Sequence, residues 1–471
     1  MFGLDPLYTW LLIACLLAAC AFEFINGFHD TANAVATVIY THSLKPTVAV
    51  IWSGFWNFLG VNIGGIAVAI GIVNLLPLEI LVDQNLAHNI AMVLSLILTA
   101  ILWNLATWYI GIPCSSSHTL IGSIFGVGLA FMLLPGSPSI ALNWKKVTDI
   151  GLSLLVSPVF GFGLSLLLMY ILQRVIKNKD IFKEPPSKKP PPAWIRSILI
   201  LTCTSVSYAH GSNDGQKGVG LVMLILIGFA PTFFALDPGK SPALLLSDVK
   251  KVEWTVRKFD TVKMAEADRK DYRVVLSTLA SMKTELAGIQ SMEQLEKKDH
   301  FKVRKQILVL AKKTEGLMAQ VGQAGHAGIS KAQAAVLKAK LKEMRGSTEY
   351  APRWVILMIA ISLGLGTMIG WKRIVVTIGE KVGKTHLTYA QGASAELVAA
   401  STIWVSSSFG LPVSTTHVLT SGVAGTMFAG TGRRNLRMGT IKSILIAWVI
   451  TLPVTIVVSG GMFYLLRILM K

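Results

Sequence analysis

Long apolar blocks constrain this chain more than any other feature. Leu11–Phe22, Val48–Leu76, Ile90–Ile112, Ile150–Leu172, Ile195–Val206, Gly218–Leu236, Val355–Ile369, Leu397–Val405 and Ile441–Leu469 are all strongly apolar. Several run to the roughly 20 residues that a helix needs to cross a bilayer core of about 30 Å. Lipid gives a bare backbone no hydrogen-bond partners, so only helices or closed barrels cross it. These blocks lack the alternation of barrel strands, and the expected fold is an all-α polytopic membrane protein. A hydrophobic fraction of 52% and a mean hydropathy of +0.58 over 471 residues agree with that class.

The formal charge of +19 does not indicate nucleic-acid binding, because the basic residues sit in loops between spans rather than along one face. Positive loops are what cytoplasmic orientation predicts. The clearest is "QRVIKNKDIFKEPPSKKPPPAWIR", Gln173–Arg196, read as a cytoplasmic linker stiffened by proline. Cys15, Cys20, Cys114 and Cys203 lie in apolar surroundings without metal-ligand spacing and read as small hydrophobic residues. "LAAC" at Leu17–Cys20 matches a lipoprotein cleavage signal, but no Lys or Arg precedes the apolar run. Its helix is also expected to continue into Glu23, so it is read as uncleaved.

Composition changes between Ser241 and Tyr350, which hold 21 Lys and Arg against 13 Asp and Glu. Apolar residues recur there at helical spacing, as in Val274–Leu286 and Val303–Val321, which predicts a soluble helical insert. Its net charge of +8 (21 − 13) favours the cytoplasmic side. The linker is basic too, and Ser197–Leu236 is long enough to cross twice, so the two charge readings agree. Residues 1–172 are read as a first membrane repeat and 173–196 as the linker. Residues 197–240 begin a second repeat, 241–350 form the insert, and 351–471 complete the second repeat.

The duplication is visible in two pairs of motifs. "INGFHDTANA" (Ile25–Ala34) aligns with "AHGSNDGQKG" (Ala209–Gly218), which sets Asp30 opposite Asp214 and Asn33 opposite Lys217. "GIPCSSSHTLIGSIFG" (Gly111–Gly126) aligns with "GLPVSTTHVLTSGVAG" (Gly410–Gly425), which sets His118 opposite His417. The first pair is offset by 184 residues (214 − 30) and the second by 299 (417 − 118); the difference is close to the length of the insert. Duplicated halves with broken apolar segments at matching places are the signature of a secondary transporter.

Each Ser/Thr cluster follows a Gly-x-Pro that ends a helix and precedes a short apolar run, the pattern of a re-entrant hairpin with hydroxyls at its tip. Hydroxyls cap a helix start, and the free N–H groups and dipole there favour an anion. Two such tips would surround a small oxyanion with hydroxyl and amide donors and no buried cation. Asp30 and Asp214 are costly at membrane depth and mark an ion or proton pathway. Carboxylate and amide oxygens also suit a hard cation. A carboxylate beside an anion demands a counter-cation or proton, which couples the two. His29, His118, His210 and His417 fit either proton relay or structural hydrogen bonding.

The stretches "GFHDTANAVAT", "HGSNDGQKG" and "GLPVSTTHV" resemble the paired signatures of the inorganic phosphate transporter (PiT) family, especially its bacterial low-affinity members. The resemblance implies a homo-oligomeric carrier of the bacterial inner membrane, taken here as a dimer, with inverted repeats and two re-entrant hairpins. It implies transport of inorganic phosphate with a coupling cation, and no cofactor. Carried over by motif, Asp30, Asn33 and Asp214 serve cation coupling. Ser115, Ser116, Ser117, Ser414, Thr415 and Thr416 hold phosphate. Glu396 matches one of two glutamates of animal members, while the other position holds Asn57. Sodium-coupled members carry N-D-x-x-N in each half, whereas this chain reads Asn213-Asp214-Gly215-Gln216-Lys217. The expectation is that Lys217 is a tethered cation beside Asp214. That replaces one sodium and favours proton coupling or co-transport of a metal–phosphate complex. The alternative is a lysine that merely reaches the interface. The rivals are a sulfate permease of the same fold, a passive channel, and an intramembrane hydrolase using Ser117 or a His–Asp metal site. The last suffers from two equivalent clusters and no H-E-x-x-H pattern.

Overall fold

The computed structural model describes residues 2–76, 86–134, 144–185, 189–262, 264–323 and 329–470. Linker positions 186–188 and insert positions 263 and 324–328 lie outside them. The described residues contain no strand, only an isolated bridge between Gly383 and Leu436. Contacts divide the chain into two compact units, one of Met1–Leu4 with Leu226–Tyr350 and one of Asp5–Ile225 with Ala351–Lys471.

In the larger unit, α1 (Pro6–Asp30) starts where the Asp5 side chain accepts from the Tyr8 N–H, with proline at the first helical position. It runs unbroken past Cys20. At Thr31 it passes into α2 (Ala32–Tyr40), and the Thr31 hydroxyl donates to the carbonyls of Gly27 and Thr367. α3 (Pro46–Ile63) bends by 73° into α4 (Ala67–Val73). α5 (Leu86–Ile110), α6 (Ser116–Met132) and α7 (Trp144–Val175) complete the first half. The second half begins with α8 (Ala193–His210), which continues through a π turn at Gly211–Gly215 into α9 (Gln216–Phe229). It resumes with α14 (Arg353–Met368), α15 (Lys372–Val376), α16 (Tyr389–Ser408), α17 (Thr415–Thr431) and α18 (Met438–Leu469).

Among the described residues, four helices are long and apolar enough to cross a bilayer, and two bent pairs qualify if each counts as one span. The stretch expected to cross twice, Ser197–Leu236, is instead one helical run through the π turn as far as Phe229. Polarity is inside out: Leu155, Val159, Val449 and Val457 face outward, whereas Asp30, Asn57, Asp214 and Glu396 are buried.

Packing repeats between the halves. α6 lies along α18 and α17 along α7. A methyl built on Gly126 of α6 would stand 2.1 Å from the Ile456 carbonyl oxygen, and one on Gly425 of α17 would stand 2.4 Å from that of Phe162. The two glycines are 299 residues apart (425 − 126), the offset of the Ser/Thr motifs. Small residues are what let helix backbones approach in this way. Pro158 and Pro453 interrupt α7 and α18 at comparable places.

The smaller unit is helical throughout its described residues. α10 (Pro242–Val256), α11 (Glu266–Leu286), α12 (Lys297–Gln323) and α13 (Lys331–Arg345) share one core that includes Leu245, Val252, Leu279, Ile307 and Leu341. Buried Arg304 donates to the carbonyls of Ala235 (2.9 Å) and Thr348 (2.7 Å), which ties the entry of the bundle to its exit. Burial pushes its guanidinium down to about 10.

Candidate functional site

Both Ser/Thr clusters are built the same way. α5 ends at Gly111 (φ +76°) and α16 at Gly410 (φ +66°), a conformation that glycine adopts without strain. Pro113 and Pro412 then prevent the helix from resuming at once. Ser115 and Ser414 cap the next helix, accepting from the backbone N–H groups of His118 (3.2 Å) and His417 (3.1 Å). α6 and α17, of 17 residues each, therefore start deep in the molecule, with every residue from Ser115 to Thr119 and from Ser414 to Leu419 buried.

The two tips meet the two carboxylates. Ser116 donates to Asp30 Oδ2 (3.2 Å), and Thr415, its counterpart, to Asp214 Oδ2 (3.5 Å). The next hydroxyl along each helix is held from the other half of the chain. Asn33 Nδ2 donates to Thr416 (3.3 Å), and Lys217 Nζ donates to Ser117. Asn33 and Lys217 are the pair aligned by the repeat, so each half reaches across with the same position. Lys217 also pairs with Asp214 Oδ1 (2.7 Å) and donates to the Val413 carbonyl (3.1 Å). Thr416 donates to Asp30 Oδ1 (2.6 Å), a contact without a counterpart, because Asp214 Oδ1 already faces the ammonium.

His210 stands between the acids. Its Nε2 lies 3.6 Å from Asp30 and 3.5 Å from Asp214, while its Nδ1 contacts Asn57 Oδ1 (2.8 Å). Asn57 in turn donates to Thr367. Donor atoms of Asp30, His210 and Asp214 lie within 4.8 Å of one another, near enough to share one cation. His29 contacts Asp30 (3.3 Å) and Thr107 (3.3 Å). The His118 and His417 rings lie against each other tilted by 34° with centroids 4.5 Å apart, and His417 stacks on Trp448 at 3.9 Å. Neither His118 Nδ1 nor His417 Nε2 has a hydrogen-bond partner.

Two expectations change. The tips are not free of a buried cation, since Lys217 is 1% exposed and its ammonium touches Ser117. It does not reach for the interface: the carboxylate three residues away holds it inside. Glu396 stands apart from the central cluster. It is buried and accepts from Thr202 on α8 (2.6 Å), and its Oε1 is unpartnered. The sequence assigns no role to Glu23, Asn26, Asn213 and Gln216, all of which are buried. Glu23, Asn26, Asp30 and Asn33 follow one another at spacings of three, four and three, and that helical stripe was legible.

Asp30 and Asp214 face one ammonium, that of Lys217, and one imidazole, that of His210, whose protonation sets the charge of the cluster. An incoming oxyanion adds to it. At membrane depth such a sum requires a further cation or proton.

A family model described as phosphate transporter family matches residues 26–459. The chain is 41% identical to the low-affinity inorganic phosphate transporter PitB of Escherichia coli (strain K12), over 98% of each chain. It is 42% identical to the low-affinity inorganic phosphate transporter of Buchnera aphidicola subsp. Schizaphis graminum, over 98% of this chain and 97% of the relative. It is 28% identical to a probable low-affinity inorganic phosphate transporter of Bacillus subtilis (strain 168), over 98% of each. A solved structure titled the sodium-dependent phosphate transporter superposes with a TM-score of 0.54 at 22% identity, covering 97% of this chain and 99% of that one. At that identity the likeness concerns the fold.

Proposed function

The chain belongs to the phosphate transporter family, a family of carriers rather than enzymes, and we propose that it is a secondary symporter of inorganic phosphate driven by protons or another cation. Ser115, Ser116, Ser117, Ser414, Thr415 and Thr416 form the phosphate site in this reading. Asp30, Asn33, Asp214 and Lys217 couple the cation. The observation that carries it is the reciprocal reach of Asn33 to Thr416 and Lys217 to Ser117. That reach makes one polar site out of two halves of the chain. Phosphate displaces the contacts from hydroxyl to carboxylate, takes those hydroxyls and the ammonium as donors, and leaves Asp30 and Asp214 to an added cation.

Lys217 as a fixed cation favours a proton, or a divalent metal travelling with phosphate, over a sodium ion beside Asp214. Donor atoms of Asp30, His210 and Asp214 suit either cargo. Alternating access through inverted repeats is supported by the exchange of packing partners between halves, and re-entrant hairpins by the short apolar helices that start at the tips. Glu396, buried against Thr202 outside the central cluster, is a separate coupling carboxyl in this reading. A bacterial inner-membrane location is supported by the likeness to bacterial relatives, and a cytoplasmic insert by its net charge of +8 (21 − 13). A homodimer rests on the family resemblance alone.

Uptake of labelled phosphate into proteoliposomes, under imposed proton and sodium gradients and with sulfate as competitor, tests the reading. Stimulation by an inward proton gradient without sodium is expected, with little inhibition by sulfate. Strict sodium dependence, or equal transport of sulfate, overturns it.

A further inference from the structure

The central cluster does not use every acid at membrane depth. Glu23, Asn26, Asp30, Asn33 and Thr37 recur at spacings of three and four along α1 and α2, and all five are buried. They form one polar stripe with Asp30 at its middle. Thr37 packs against Gly392, one turn before Glu396. Glu23 lies at the opposite end, and its side chain is 0% exposed. Asn26 donates to its Oε2 (3.2 Å), while Oε1 has no partner. α9 closes over it: a methyl built on Gly218 would stand 2.5 Å from Glu23 Cδ and Oε1. The residue before that glycine is Lys217.

A carboxyl with one oxygen unengaged takes and gives up a proton without breaking an existing bond. The titratable groups that act on it are Asp214, Lys217 and His210 from α8 and α9, and Cys20 on its own helix. Lys217 is the hinge of the argument, because its ammonium serves Asp214, Ser117 and the Val413 carbonyl. An ionised Glu23 adds a second anion that draws on this ammonium. A neutral Glu23 leaves the ammonium to Asp214, the Ser117 tip and the Val413 carbonyl.

We propose that Glu23 is the proton-binding site of the transport cycle, linked through Lys217 to the phosphate site; this rests on the proton-coupled reading given above. The step is protonation alone: the carboxylate gains one proton from one face of the membrane and releases it at the other. Because a neutral Glu23 no longer competes for the Lys217 ammonium at the hydroxyl tip, proton and phosphate bind with positive cooperativity. The linkage is reciprocal, so phosphate tightens the hold on the proton by the same factor.

Glu23→Gln, which is permanently neutral, tests it. In proteoliposomes the wild type is expected to take up phosphate faster under an inward proton gradient. Its apparent phosphate affinity should change with pH by about 5–150-fold, the ordinary range of such couplings. Glu23→Gln should retain phosphate–phosphate exchange while losing both the gradient stimulation and the pH dependence. Wild-type stimulation in Glu23→Gln overturns the assignment of Glu23 and leaves proton coupling standing. No stimulation in the wild type overturns proton coupling itself, and this proposal with it. If Glu23→Gln does not exchange phosphate, infrared spectra of the purified proteins decide. A titrating carboxyl band absent from Glu23→Gln and restored in Glu23→Asp supports the site; an unchanged band in Glu23→Gln refutes it.

Discussion

Replacing Lys217 by asparagine recreates in the second half the amide that Asn33 supplies in the first. The ammonium is 1% exposed, lies 2.7 Å from Asp214 Oδ1 and also serves Ser117 and the Val413 carbonyl. Removing one partner of a buried ion pair costs about 3–5 kcal/mol, because the other charge is left uncompensated. A sodium ion can return part of that by taking the place of the ammonium. At a concentration 100 times its dissociation constant it stabilises by about 2.7 kcal/mol. Lys217→Asn should therefore unfold earlier than wild type in potassium salts and recover most of the loss in sodium. Lys217→Met, of similar length but without a ligand atom, should lose as much and recover nothing. Thermal unfolding of the purified proteins in both salts measures the first effect. Uptake into proteoliposomes measures the second, since Lys217→Asn should acquire sodium dependence as its response to a proton gradient falls. A Lys217→Asn variant as stable as wild type and indifferent to sodium refutes the tethered-cation argument.

Asp30→Asn and Asp214→Asn should each abolish uptake while the protein remains inserted; near-normal transport by either removes the coupling role. Gly27→Ala places a methyl 2.5 Å from the Leu363 carbonyl oxygen and 2.7 Å from the Thr367 nitrogen, so α1 and α14 must part. Its expression as folded protein should drop, and an unchanged melting temperature counts against that close approach. Arg304→Met leaves the Ala235 and Thr348 carbonyls without their donor, at about 1–3 kcal/mol for each unsatisfied group. Limited proteolysis should then cut the insert faster. The Lys283 ammonium holds the Glu253 carboxyl below its ordinary range. Its contribution to stability is present above the unfolded carboxylate value of about 4.3 and is lost as pH falls through the lower folded value. Glu253→Gln should flatten that acid limb, read as melting temperature against pH.

The all-helical class was legible because apolar block length survives in one dimension, and so does the motif offset that sets Asn33 opposite Lys217. Aligning Asn33 with Lys217 identified equivalent positions, but an alignment says nothing about which half a side chain reaches into. The crossed contacts to Thr416 and Ser117 appear only when the two helix tips meet. Reading the tips as free of cation failed for the same reason, since Lys217 lies 100 residues from Ser117 (217 − 117). The length of Ser197–Leu236 allows two crossings, but length alone does not reveal the π turn at Gly211–Gly215 that carries α8 into α9 without ending the helix. Glu23 was visible as an acid in an apolar run, but its significance depends on α9 closing over it at Gly218.

The most direct test is the structure of the chain determined with inorganic phosphate bound. The account predicts a tetrahedral density touching the first-turn hydroxyls of both α6 and α17 and the Lys217 ammonium, with Asp30 and Asp214 turned to a neighbouring cation or proton donor. Density confined to one tip, or phosphate bound away from both, contradicts it.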